Sequence, residues 1–186
     1  MKQILFIRHG STAGNLEKRY IGRSDEPLCE AGIQQVLSLK KYDFKPDVLF
    51  VSPMLRTRQT AELLFPHMIP QIVEDFRETD FGIFEGKNAE ELRNYPEYQT
   101  WLDSLCLAPI PGGEAVSDFK ARCCKAFYEI VRTLPENCHA AFVVHGGVIM
   151  AIMEQFDSQK LSFYDYHIDN GSFLSACWEN DALIFQ

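Results

Sequence analysis

Two short stretches of this chain carry residues suited to the same chemistry. Arg8-His9-Gly10 follows the apolar run Ile4-Leu5-Phe6-Ile7, and His145-Gly146-Gly147 follows Ala141-Phe142-Val143-Val144. A strand that ends in an Arg and a His delivers a cation and an imidazole to one place. Binding a phosphate dianion and attacking it with nitrogen require that pair of groups. The glycine after each His lets the backbone approach closely. A third apolar run, 47–51, stops at Ser52-Pro53, and Arg56 follows one helical turn later. Arg58 is read equally well as a solvated helix face. Glu78, in Arg77-Glu78-Thr79-Asp80-Phe81-Gly82, is the candidate proton donor, with Asp80 and Glu85 as competitors. Asn15 is read either as a cap of a short helix or as a donor to a phosphate oxygen.

These residues need elements that bring them together. Apolar runs predict strands at about 3–8, 47–51, 72–73, 139–144, 172–178 and 182–185. Helical spacing predicts helices at about 29–41, 54–65, 114–134 and 146–156, the third with Phe119, Cys123, Ala126, Phe127, Ile130 and Val131 on one face. Strand–helix alternation implies an α/β fold: a mostly parallel central sheet with helices on both faces, in three layers. In such sheets ligands sit outside the carboxyl ends of the strands. Arg8, His9, Arg56 and His145 then share one rim, and the helix opening at Gly146 adds partial positive charge there. Residues 75–113 change character, with many acids and aromatic-rich loops. They read as an excursion capping the active-site end, too short to own a core.

Composition narrows the function classes. The 186 residues suit a single domain over 1–186, with an ordinary 46% of hydrophobic residues. No apolar stretch approaches the ~20 residues that span a bilayer. No signal-peptide pattern opens the chain, so the expected address is cytoplasmic, without a membrane partner. The net charge of −8 argues against nucleic acid as a partner. Yet residues 1–60 carry ten Lys and Arg against six Asp and Glu, which points to an anion site in the first third. The six cysteines include no C-x-x-C pair and read as reduced, mostly buried thiols.

Taken together, the motifs resemble the histidine phosphatase superfamily, which includes cofactor-dependent phosphoglycerate mutases and small phosphatases. The resemblance runs over nearly the whole chain: Arg8-His9-Gly10, Asn15, Gly22 through Pro27-Leu28, Ser52-Pro53 with Arg56, Thr57, Gln59 and Thr60, Glu78, Gly82 through Glu85-Gly86, Gly112-Gly113-Glu114 and His145-Gly146-Gly147. The stretch from Gly14 to Arg23 looks most like the α-ribazole phosphatases of cobalamin assembly. The resemblance implies a phosphoglycerate mutase-like fold and a small phosphate monoester as substrate. It implies that His9 becomes a phosphohistidine, that Arg8, Arg56 and His145 bind the equatorial oxygens, and that Glu78 acts as acid and then base. Asn15, Ser11, Thr12, Gly22 and Gly146 are the implied substrate-binding residues. Neither metal nor cofactor is implied. Three positions depart from the family pattern. Ser11 stands where Glu or Gln is common, Cys29 where Thr caps the next helix, and Ala115 where Ser often follows Gly-Gly-Glu.

Other phosphatase chemistries fit poorly. No Cys is followed by Arg at the sixth position, as a cysteine phosphatase needs. His67, His139 and His167 lie outside any two-metal spacing, and a G-x-x-x-x-G-K loop is absent. A phosphoglycerate mutase, a broad sugar phosphatase and a non-catalytic phospho-ligand binder remain as rivals. The short chain favours hydrolysis over mutase chemistry. Retention of His9, His145, Arg8, Arg56 and Glu78 counts against the binder. Tyr20, Ile21, Phe81, Phe84, Trp101 and Tyr164 are expected either to line an apolar pocket or to serve as core. The sequence leaves the oligomeric state open and is compatible with a homodimer.

Overall fold

A computed structural model of the chain describes residues 1–185. Six strands form one sheet: β1 (Lys2–Arg8), β2 (Val48–Val51), β3 (Gln71–Ile72), β4 (His139–Val144), β5 (Phe173–Glu179) and β6 (Ala182–Phe185). Their spatial order is β3-β2-β4-β1-β5-β6. The first four in that order run parallel, and β5 lies antiparallel to β1. β6 returns along β5 through Asn180 and Asp181, both at positive φ, as a two-residue hairpin turn requires. The mostly parallel α/β sheet expected from the alternation is therefore present, with an antiparallel edge.

Strand alternation sorts the core into two layers. Ile4, Phe6, Ala140, Phe142 and Val144 point to the face covered by α6 (Val116–Thr133) and α7 (Gly146–Phe156). Ile7, Ala141 and Val143 point to the opposite face, which holds Leu39 just after α2 (Glu30–Ser38) and Ala61 of α3 (Leu55–Leu64). Strands buried on both faces must read as continuous apolar runs, as β1 and β4 do. Phe142 anchors the first layer, its ring centroid 5.0–6.0 Å from those of Phe6, Phe50, Phe76 and Phe127. Deleting such a ring costs about 3–5 kcal/mol. Among the described residues, no helix is long and apolar enough to cross a membrane.

One expectation needs correction. The 75–113 segment does own a small core: Phe84, Leu92, Tyr98, Trp101 and Ile110 are buried together, with Tyr20, Phe81, Ile83 and Cys106 packed against them. Aromatic rings make this possible in so short a segment, since each buries a large area. Two short helices carry Leu92, Tyr98 and Trp101 of the cluster. One is α4 (Ala89–Leu92), closed by an Asn88/Glu91 capping box, and the other is α5 (Pro96–Asp103), opened by proline at its first position. The remaining α-helix, α1 (Ala13–Leu16), follows β1 after the four-residue stretch 9–12.

Candidate active site

Parallel pairing of β1 with β4 sets Arg8 opposite Val144, so the next residue on each strand is a histidine. The His9 and His145 rings meet edge to face, centroids 5.1 Å apart. Both are buried. His9 Nδ1 lies 2.7 Å from the Gly10 carbonyl oxygen. A carbonyl can only accept, so the ring proton sits on Nδ1 and Nε2 keeps its lone pair. Burial, then the Arg56 and Arg8 charges, push the His9 pKa well below the ordinary histidine value. Burial and the nearby Arg56, His9 and Arg8 do the same to His145. Both rings are thus neutral at neutral pH. Gly10 allows this packing: a Cβ there would lie 2.4 Å from the Gly32 carbonyl oxygen of α2.

The two arginines are held by backbone rather than by acids. Arg8 Nη1 donates to Ile168 O at 2.5 Å. Arg56, only 1% exposed, donates to Ser24 O at 2.8 Å and Gly22 O at 2.9 Å. Burial lowers both pKa values, opposed by the more distant Glu78 carboxylate. Arg8 Nε, Arg56 Nε and His145 Nδ1 are buried N atoms without a hydrogen-bond partner. His145 Nε2 is engaged by Ser52 Oγ at 2.7 Å, so Nδ1 is the nitrogen left for another group. Buried polar atoms are almost always paired in native proteins, and buried cations cost several kcal/mol unless an anion joins them. Arg8 ends β1, His145 follows β4 and Arg56 lies in the first turn of α3, so three unpaired buried nitrogens gather at the carboxyl end of the parallel strands.

Glu78 reaches the same place from the excursion. Its Oε2 accepts from Gly147 N at 3.1 Å, at the positive end of α7, and its Oε1 from Thr79 N at 3.0 Å. A Cβ on Gly147 would stand 2.4 Å from Oε1, so glycine is needed for this approach. The two rival acids are occupied elsewhere. Asp80 pairs with Arg23 at 2.9 Å and accepts from Gly82 N. Glu85 Oε1 accepts from the Gly22 and Ser24 amides at 2.8 and 2.9 Å.

The expected binding residues fall into distinct places. Asn15 and Thr12 form a capping box on α1: Thr12 Oγ1 accepts from Asn15 N, and Asn15 Oδ1 from Thr12 N at 3.1 Å. Asn15 is thus a capping residue, and its side-chain NH2 remains a donor. Ser11 is buried, with its amide given to Gln35 Oε1 at 2.9 Å. Gly22 gives its amide to Glu85 and its carbonyl to Arg56, so it supports that arginine from behind. Gly146 lies against the Arg8 guanidinium at the start of α7. Arg58 is on the exposed face of α3, the solvated alternative. Cys29 starts α2 without a side-chain cap, its thiol donating instead to Ser11 O at 3.2 Å.

A cavity of about 240 Å³ opens onto Arg8, Glu78 and Gly146 and is walled by Tyr20, Phe81, Trp101, Phe119, Met150, Phe163 and Tyr164. Four of the six expected pocket aromatics and aliphatics line it. Phe84 and Ile21 do not: both are buried as packing. Sequence reasoning misses Asn170, whose Nδ2 donates to His9 O at 3.2 Å, and Ser52 as the His145 partner. It also misses the ion pair of Arg122 with Glu114 behind Glu78. For Ser52 the end-of-strand position is a usable signal. Asn170 and Arg122 give none. Among the described residues, no three His, Cys, Asp or Glu side chains are grouped to hold a metal ion.

Comparison with known proteins agrees with this geometry. The chain is 29% identical over 185 residues to the uncharacterized phosphatase PhoE of Bacillus subtilis, covering 97% of this chain and 88% of that protein. A phosphoglycerate mutase of Thermus thermophilus superposes with a TM-score of 0.74 at 29% identity, covering 98% of this chain and 96% of that one. The α-ribazole phosphatase of Shigella flexneri superposes with a TM-score of 0.88 at 22% identity, covering 99% and 94%. That last likeness establishes a shared phosphoglycerate mutase-like fold. The profile of the histidine phosphatase superfamily (branch 1) matches residues 4–186. With two histidines and two arginines meeting at the strand ends inside that match, the chain belongs to the histidine phosphatase superfamily, branch 1.

Proposed function

We propose that the protein hydrolyses phosphate monoesters through a phosphohistidine on His9, without metal, and that α-ribazole 5′-phosphate of cobalamin assembly is its substrate. The observation that carries the chemistry is the set of three unpartnered buried nitrogens, Arg8 Nε, Arg56 Nε and His145 Nδ1, around a neutral His9. In this reading His9 Nε2 forms the N–P bond as the bond from phosphorus to the leaving oxygen breaks. This cage of nitrogens takes the charge on the equatorial oxygens, which is where phosphoryl transfer gains most of its rate. Glu78 gives its proton to the leaving alkoxide. It then takes one from water as the new P–O bond forms, the N–P bond breaks and His9 is restored. Gly146 and Asn15 supply further N–H donors to the phosphate, with Ser11 and Thr12 near them.

The aromatic cavity supports an ester whose alcohol carries a flat apolar ring, as a benzimidazole riboside does. The likeness to a mutase favours transfer to a second hydroxyl as the other reading. The cavity, whose basic side chains are Arg8 and His167, favours hydrolysis, because it offers a substrate carboxylate little to bind.

Rapid quenching of a turnover mixture tests the first claim: an acid-labile, base-stable phosphoryl group should appear on His9 and persist in EDTA. His9→Ala should lose activity by at least about 10³-fold. Full activity of that variant, or strict dependence on added metal, sinks the mechanism. For the substrate, α-ribazole 5′-phosphate is compared with 3-phosphoglycerate and sugar phosphates. A preference under about tenfold, ~1.4 kcal/mol, removes the cobalamin assignment.

A further inference from the structure

Arg122, on α6, divides its guanidinium between the segment that carries Glu78 and Glu114. Nη1 donates to Asp75 O at 2.6 Å and Arg77 O at 2.8 Å, and Nη2 to Glu78 O at 3.3 Å. Nε and Nη2 form a two-pronged pair with Glu114 at 2.7 and 2.8 Å. Guanidinium has five N–H donors, and these five oxygens account for all of them. Both side chains of the pair are about four-fifths buried, and the Arg122 guanidinium carbon lies 5.0 Å from the Phe119 ring centroid. Glu114 is fixed in turn, its amide donating to Asp80 O at 3.0 Å. The clamp therefore grips the backbone on both sides of Glu78, while Gly147 N and Thr79 N grip its carboxylate.

We infer that Arg122 and Glu114 are positioning residues for Glu78: they fix the distance between its carboxyl and the leaving oxygen held beside the Arg8–Gly146 end of the cavity. Resting on the acid–base reading of Glu78 given above, the inference assigns the clamp no contact with phosphorus or its oxygens. A displaced proton donor costs most where the leaving group is a poor one. It costs little where the leaving group departs as a stable anion. The clamp then leaves a kinetic signature that general loosening of the fold does not.

The test compares kcat/KM, which reports events up to leaving-group departure, for p-nitrophenyl phosphate and ribose 5-phosphate in Arg122→Ala, Arg122→Lys and Glu114→Gln. Arg122→Ala should lose about 30-fold or more on ribose 5-phosphate and no more than about threefold on p-nitrophenyl phosphate. Arg122→Lys keeps the charge but not the planar fork, so it should show the same split. Glu114→Gln retains one acceptor and should show a smaller split in the same sense. Equal losses on both esters in a variant with native circular dichroism overturn the inference, as do unchanged rates. Failure of even Glu114→Gln to fold overturns it too, because the pair is then structural. Glu78→Gln runs alongside. Equal losses there refute the acid–base reading itself, whereas a split in Glu78→Gln without one in the Arg122 variants refutes only the clamp.

Discussion

The site proposed above has a phosphate end at the histidine–arginine cluster and a leaving-group end in the aromatic cavity, and the two are built in opposite ways. At the phosphate end, Arg8, His9, Arg56 and His145 sit at strand ends or within the first turn of a helix, and backbone carbonyls hold three of the four. At the leaving-group end, Tyr20, Trp101 and Tyr164 sit on loops and short helices. There, side chains hold one another, as when the Tyr20 and Tyr98 hydroxyls meet at 2.9 Å. Main-chain oxygens of loops fix those three groups, whereas the rings are fixed by neighbouring rings. In the proposed reading, chemistry that tolerates little displacement rests on backbone-held groups, and recognition of the alcohol on side chains packed against one another.

That contrast can be broken by experiment. Arg56→Lys removes a fork gripping Ser24 O and Gly22 O and should lower kcat/KM by about 10²–10³-fold, alike for every ester. A loss that depends on the alcohol would show the two ends to be coupled. The buried histidines should also shape stability. Their pKa values are depressed in the fold, so below the unfolded value of about 6.5 the unfolded chain binds more protons. Stability is fully present above that pH and falls as pH drops, by up to about 1.4 kcal/mol per pH unit for each ring. Urea midpoints between pH 7 and pH 5 measure it, and a flat profile there contradicts the burial argument. Tyr164→Ala, at the other end, should raise KM about tenfold for α-ribazole 5′-phosphate or naphthyl phosphate and leave glycerol phosphate within about twofold. The smallest effect is expected at the start of α2, where the Cys29 thiol and amide donate to the Ser11 backbone oxygen behind the phosphate end. Cys29→Ser supplies the missing cap of α2 and should add about 0.5–1 kcal/mol, raising Tm by about 1–4 °C with kinetics unchanged.

Legibility in the sequence divides along the same line. Arg8-His9-Gly10 and His145-Gly146-Gly147 are readable because strand end, side-chain chemistry and glycine are neighbours in the chain. Helix α7 is legible residue for residue, since its start is fixed by that motif and its length by apolar content. Arg56 is readable as a position but not in its partners, which lie in the 21–24 loop. Glu78 cannot be separated from Asp80 and Glu85 by spacing. Only the tertiary contacts of Gly147 with the first and of Arg23 and Gly22 with the other two distinguish them. Arg122 is invisible, because its five acceptors come from two segments that meet it only in the folded chain. Phe84 and Ile21 look like pocket residues in a sequence because composition does not distinguish a ring facing a cavity from one facing its neighbours.

The strand order has one more consequence, for the chain while it is being made. β1 is made well before both of its sheet neighbours, β4 and β5, which lie beyond residue 138. Until those arrive, an apolar strand waits with both edges open, the state most prone to pairing with another molecule. In the proposed reading His9 is made early and His145 late, so a product cut short before residue 139 exposes an apolar strand and lacks half of the histidine pair.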